Sequence, residues 1–284
     1  MATVVSLINM KGGVGKTTIA MQLAFAAAAK RLRVLAVDLD PQSNLSQAAL
    51  GARQYVDLLK NDKPTVIQVF EGYLPPTAVT GGPTQVDPTS IILKEPTRAF
   101  GRVDLIPSRL QLCRTLRNPI GKERKLEEFL VKVQQDYDLI LIDCAPTDSI
   151  LTDAAYFASR YILVPVKPEF MAAIGLPLLA DSLKAFKTAN ADHHLEICGI
   201  VFNDSSTYSR GTDPEGRTAI QDVTTLAEQE RWHVFERHVQ YSRSYAKSAR
   251  EGKPICWTSY ARGTTIRGFE AFSEEFFKSV GLTP

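Results

Sequence analysis

The chain has 284 residues, 44% hydrophobic and 23% charged, with a formal net charge of +2. This is ordinary globular composition, which excludes a disordered polyelectrolyte and an overall polycation. No run of eighteen or more apolar residues occurs, so no spanning helix is expected. The four cysteines (Cys113, Cys144, Cys198 and Cys256) form no C-x-x-C pair, which fits a reducing cytoplasm rather than a zinc site or a disulfide framework.

In chain order, "MATVVSLINM" lacks a basic n-region and reads as a mature β-branched strand, not a signal peptide. It runs into "NMKGGVGKTT", residues 9–18. A glycine-rich turn between strand and helix aims backbone N–H groups at an anion, and the helix N-terminus adds partial positive charge. Gly12, Gly13 and Gly15, with Val14 between them, let the backbone approach a phosphate. Lys16 reaches β- and γ-phosphates, the Thr17 hydroxyl ligates Mg²⁺, and Thr18 contacts a further phosphate oxygen. The usual template has glycine six residues before that lysine; Met10 stands there instead, and a second lysine, Lys11, lies five residues ahead.

"KTTIAMQLAFAAAAKR" reads as the helix that starts at the loop, and "RVLAVD" as a second strand. Asp38 and Asp40 follow, two apart, and so on one side of an extended backbone; Pro41 then turns the chain. Residues 72–100 carry five prolines and the pair Gly81–Gly82, and read as an irregular surface insertion with one short strand at "SIILK", 90–94. "RKLEEFLVKVQQ" and "IGLPLLADSLKAFKTA" read as helices, and "DYDLILID", "YILVPV" and "LEICGIVFN" as strands. Alternating strands and helices predict a single doubly wound, mostly parallel α/β domain over residues 1–284, helices on both faces and ligands at the carboxyl ends of the strands. Asp143 closes an apolar strand, where a carboxylate suits a hard, hydrated Mg²⁺. Cys144 beside it reads as a small buried residue.

The last quarter is locally basic. Between Arg231 and Arg267 eight Lys/Arg face two acids. If "YSRSYAKSAR" is helical, Arg243, Lys247 and Arg250 share one face, and with Arg262 and Arg267 they make a candidate surface for phosphate-backbone contact that ignores sequence. In "GFEAFSEEFFKSVGL", Phe269, Phe272, Phe276 and Val280 form an apolar stripe opposite an acidic face, which predicts a helix packed on the core rather than on a membrane surface.

"KGGVGKTT", the segment Asp38, Asp40, Pro41, Gln42, Asn44, and the Asp143 strand together resemble the ParA/MinD class of P-loop ATPases with a deviant Walker A motif, and within it the ParA/Soj partition ATPases. The resemblance covers nearly the whole chain. It implies ATP and Mg²⁺ as cofactors and an ATP-dependent homodimer in which Lys11 crosses to the partner's phosphates. It further implies water positioned by Asp40, a Mg²⁺ shell organised by Asp38, and adenine against Asn203. It also implies nonspecific DNA binding in the ATP state, slow hydrolysis stimulated by a ParB-like or other cargo adaptor, and a cytoplasmic, nucleoid-associated protein off the membrane. The loop begins near residue 10, so no N-terminal helix-turn-helix domain is expected. "VPVKPEF" matches a family segment in which Glu169 is given no role. The alternatives are a membrane-surface switch like MinD and a metal-cluster carrier, which needs paired surface cysteines.

Overall fold

β-Branched and leucine-rich runs too short for helices form strands buried on both faces, and the helices between them cover those faces. In this computed structural model the described residues are 1–74, 84–85, 87–97, 101–169, 172–205, 214–259 and 261–282. In chain order the longer elements begin with β1 (Thr3–Leu7), α1 (Lys16–Ala29), β2 (Val34–Leu39), α2 (Asn44–Lys60) and α3 (Val66–Glu71). A two-residue antiparallel pair follows, β3 (Tyr73–Leu74) with β4 (Thr84–Gln85), and then β5 (Val103–Ile106), α4 (Cys113–Arg117), α5 (Lys125–Val133), β6 (Leu139–Cys144) and α6 (Ile150–Ala158). The chain continues through β7 (Tyr161–Val166), α7 (Ala172–Ala189), β8 (Glu196–Ser205), α8 (Pro214–Glu230), β9 (Val239–Gln240), α9 (Arg243–Glu251) and α10 (Gly263–Ser279).

The seven-stranded sheet runs β5-β2-β6-β1-β7-β8-β9, and every pairing in it is parallel. The chain leaves β1 for β2 but later inserts β6 between them, so the ends of β1, β6 and β2 lie side by side. That is the position where open α/β sheets bind ligands. Register fixes it further: Asp143 pairs with Leu7 on one side and with Asp38 on the other.

Two apolar layers flank the sheet. On one face Val37, Ile142 and Val164 pack with Phe129, Leu151 and Leu179 of α5, α6 and α7. On the other, Ala36, Leu141 and Leu163 pack with Leu23 of α1 and Phe272 and Phe276 of α10. The stripe read at the C-terminus is therefore core: Phe269, Phe272, Phe276 and Val280 are all buried. A membrane-surface helix needs that face free, and no helix among the described residues is long and apolar enough to cross a membrane.

Two details differ from the sequence reading. "SIILK" is not a strand: a 3₁₀ turn spans Pro88–Ile91, and Leu93 makes only an isolated antiparallel bridge to Leu105. The rest of the expected insertion at 75–83, 86 and 98–100 lies outside the described residues. Conversely β5 is a strand despite Asp104 at its centre. That carboxylate is fully buried, but accepts from Arg102 (2.7 Å), Tyr137 (2.7 Å), Lys94 (3.1 Å) and the Glu95 amide (3.0 Å). Burial alone raises its pKa; these partners outweigh burial and hold it below the usual carboxylate range.

Phe272 sits among the rings of Phe235, Phe269 and Phe276 with no exposure. Phe272→Ala should lower stability by about 3–5 kcal/mol in urea denaturation. A loss under about 1 kcal/mol would contradict the packing of α10.

Candidate active site

The loop after β1 reaches α1 through Gly15, whose φ of 94° is left-handed. A Cβ at Gly15 would fall 2.0 Å from the Asn203 amide nitrogen, so glycine is required twice over, by dihedral angle and by contact. No side chain caps α1 and no acid lies in its first turn, which leaves its N–H groups open to an external anion. Lys16 is 6% exposed, and its Nζ donates to the carbonyl oxygens of Asn9 (2.8 Å) and Lys11 (3.1 Å). Burial lowers its pKa, opposed by the field of Asp143, Cys144 and Asp40. The loop thus folds around its own lysine and presents that charge to a cleft of about 750 Å³, lined by residues 12–18, Asp40, Gln42, Asn44 and Pro146.

Asp143 lies under this loop, and neither carboxylate oxygen has a hydrogen-bond partner of good geometry among the described residues. Burial pushes its pKa up to about 8, and neighbouring Asp38 adds to the rise; the Thr17 hydroxyl and Lys16 oppose it. A buried, orphaned carboxylate beside a threonine hydroxyl is an oxygen donor set suited to Mg²⁺. Cys144 is buried and its thiol is pushed up by burial, as expected of a small packing residue.

The two aspartates of β2 diverge. Asp38 is fully buried and turned into the fold: one oxygen accepts from the Ser46 amide (2.8 Å) and hydroxyl (2.6 Å), the other from the Asp40 amide (3.2 Å). Burial raises its pKa to about 7, tempered by those bonds. Ser46 Oγ in turn accepts from the Ser108 amide (2.8 Å), and Ser108 Oγ donates to the Asp40 carbonyl (2.8 Å). The network ties the ends of β2 and β5 to the first turn of α2. Asp40 stands beyond the strand end, its carboxylate accepting the Gln42 amide (2.8 Å), and faces the cleft. Ser46 and Ser108 were not singled out in the sequence; only the fold joins positions so far apart.

Lys11 is held within its own chain. Its Nζ donates to Glu169 Oε2 at 2.8 Å, and its amide donates to Asn9 Oδ1 (2.9 Å), while Asn9 Nδ2 donates to the Pro165 carbonyl (2.8 Å). Glu169 also pairs with Lys167, and these two lysines hold its carboxyl below the usual range. Asn203 donates from Nδ2 to the Val14 carbonyl (2.8 Å), which braces the loop and leaves Oδ1 as a free acceptor among the described residues.

The basic quarter is helical where expected. Arg243 and Arg250 on α9, and Arg262 and Arg267 at the start of α10, are exposed. Lys247 is less available, with Glu251 at 3.7 Å and a hydrogen bond to Ser259 that draws the segment before α10 against α9. Arg250 departs from the group, because it lines the same cleft as the phosphate loop.

A family model described as an AAA domain matches residues 2–197. The chain belongs to this family, in its ParA/Soj branch. It is 28% identical over 269 residues to the chromosome-partitioning ATPase Soj of Treponema pallidum, covering 94% of each chain. The fold matches the ATP complex of McdA(D38A) from Cyanothece with a TM-score of 0.80 at 19% identity, covering 100% of this chain and 98% of that one. It also matches the cobyrinic acid a,c-diamide synthase of Mycobacterium smegmatis, solved with ADP and magnesium, with a TM-score of 0.68 at 26% identity over 88% of this chain and 92% of that one.

A linkage follows from Asp143. The folded chain holds its proton to about pH 8, whereas an unfolded aspartate releases it near pH ~4. Stability therefore falls as pH rises through that window. Asp38, raised to about 7, adds a fall of the same sign, so Asp143→Asn should make the fall between pH 5 and pH 8 shallower without removing it in denaturation experiments, and should abolish Mg²⁺-dependent nucleotide binding. An unchanged slope would contradict the buried, unpartnered state of Asp143.

Proposed function

We propose that this chain is a dimerising partition or positioning ATPase that holds nonspecific DNA in its ATP state and leaves it on hydrolysis. The observation that carries the reading is the loop itself: a buried lysine on loop carbonyls, an uncapped helix N-terminus and an orphaned Asp143, gathered at one strand edge. Gly12, Gly13, Val14, Gly15, Lys16, Thr17 and Thr18 surround the phosphates. Thr17 and Asp143 would hold Mg²⁺, which would supply neutralising charge, while Asp38 acts indirectly by fixing Asp40 and α2. Asp40 would orient the attacking water, and Asn203 Oδ1, which has no partner among the described residues, would accept from adenine. Nucleotide binding is common to the fold, so the use made of it is argued from Lys11 and the basic surface.

Lys11 must leave Glu169 to cross into a partner. Both members of that pair are part-exposed, at 24% and 43%, and such pairs are worth about 0–1 kcal/mol. A triphosphate in the opposing subunit offers more charge in a drier setting, so the lysine moves when that anion is present. A lysine donated in this way acts like an arginine finger and makes pairing depend on the nucleotide. Arg243, Lys247, Arg262 and Arg267 then carry the DNA contact, with Arg250 at the cleft edge. The working setting is cytoplasmic and nucleoid-associated, with a ParB-like or other cargo adaptor stimulating slow hydrolysis.

The test is retention on arbitrary duplex DNA. Wild type should bind with ATP and release with ADP, with affinity falling steeply with salt. Asp40→Ala should bind with ATP and stay bound several-fold longer. Equal binding with ATP and ADP at moderate salt would overturn the reading.

A further inference from the structure

Arg250 sits in the last turn of α9, yet shares the cleft with Gly13, Lys16, Asp40, Gln42 and Gly51. Helix α9 is fixed against the nucleotide-loop helix rather than loosely laid on the surface. Gln22 of α1 donates to Ser248 Oγ at 2.6 Å and accepts from the Ile255 amide at 3.1 Å, a buried bridge on both sides of Arg250. The helix ends at Gly252, whose φ is 60° and where a Cβ would press to 3.2 Å from the Ala49 carbonyl of α2. These contacts set where Arg250 begins relative to the loop. Its side chain is exposed and has no hydrogen bond or ion pair among the described residues, in contrast to Lys247 and Lys253, which pair with Glu251.

We propose that Arg250 is a nucleotide-contacting residue that places its guanidinium on the polyphosphate bound in its own subunit's cleft. This rests on the phosphate-loop reading and adds a residue to it. A helix carboxyl end carries partial negative charge, unfavourable beside a polyanion; an arginine in the last turn offsets that field. The guanidinium fork matches phosphate oxygens in a way an ammonium does not. Arg243 in the first turn of α9 and Lys247 at its middle then face DNA while Arg250 in the last turn faces the nucleotide, so occupancy of the cleft bears directly on the helix that meets DNA.

The experiment titrates the purified full chain with a fluorescent ATP analogue and Mg²⁺. Arg250→Ala should weaken binding roughly 10- to 100-fold, the usual worth of a charge-assisted contact. Arg250→Lys should recover part of it, and Arg217→Ala, an exposed charge on α8, should leave it unchanged. At saturating ATP, Arg250→Ala should hold DNA as wild type does. Unchanged nucleotide affinity in Arg250→Ala, with DNA retention lost at saturating ATP, would make it a DNA residue and overturn the proposal. Lys16→Ala separates the two layers: its loss of binding beside an unaffected Arg250→Ala removes only Arg250 from the site, whereas Lys16→Ala binding like wild type removes the phosphate-loop reading and this proposal with it.

Discussion

A buried ammonium resting on two carbonyl oxygens, above a buried carboxyl with no hydrogen-bond partner of good geometry among the described residues, is a poor arrangement unless something charged comes to sit between them. Lys16 and Asp143 form that arrangement at the carboxyl edge of the sheet. Burial lowers the pKa of one and raises that of the other, so both carry a desolvation cost in the isolated chain. In the proposed reading a phosphate would answer the lysine and the open N–H groups of α1, and a hydrated divalent cation would answer the aspartate. The topology makes this possible by inserting β6 between β1 and β2, and the two apolar layers hold the strand ends in register.

Around that centre, charges divide into those committed to the fold and those left available. Asp38 and Asp104 are fully buried and fully bonded, one to α2 and the other to Arg102, Lys94 and Tyr137. They fix geometry and do not meet the cleft. Among the described residues, Asp40 keeps its carboxylate at the cleft with the Gln42 amide for support, and the Lys11 ammonium is held by a part-exposed pair with Glu169. The groups proposed to respond to a nucleotide are thus the weakly held ones, as a shift between two states favours.

What the sequence disclosed follows from distance along the chain. The loop, its helix and Asp143 were legible because strand, turn and helix are contiguous and each residue type has one physical reason to be there. The burial of Phe269, Phe272 and Phe276 was legible from their spacing together with the acidic opposite face. Strand β5 was not read, because a central aspartate argues against a buried strand unless partners on other elements are known, and Tyr137 lies 33 residues away. The two-residue period placed Asp38 and Asp40 on one side, but the strand ends at Leu39 and the turn separates their tasks. The Lys11–Glu169 pair joins positions 158 apart, and Arg250 enters the cleft through contacts of α9 with α1 and α2; no local pattern signals either.

The account turns on Lys11 serving as a detector of the other subunit's terminal phosphate. The direct measurement is solution mass by light scattering, with a slowly hydrolysed ATP analogue and Mg²⁺, for wild type and Lys11→Ala. The account predicts a nucleotide-dependent doubling of mass in wild type and a monomer in Lys11→Ala that still binds the analogue. A Lys11→Ala chain that doubles its mass at the same analogue concentration as wild type would contradict it.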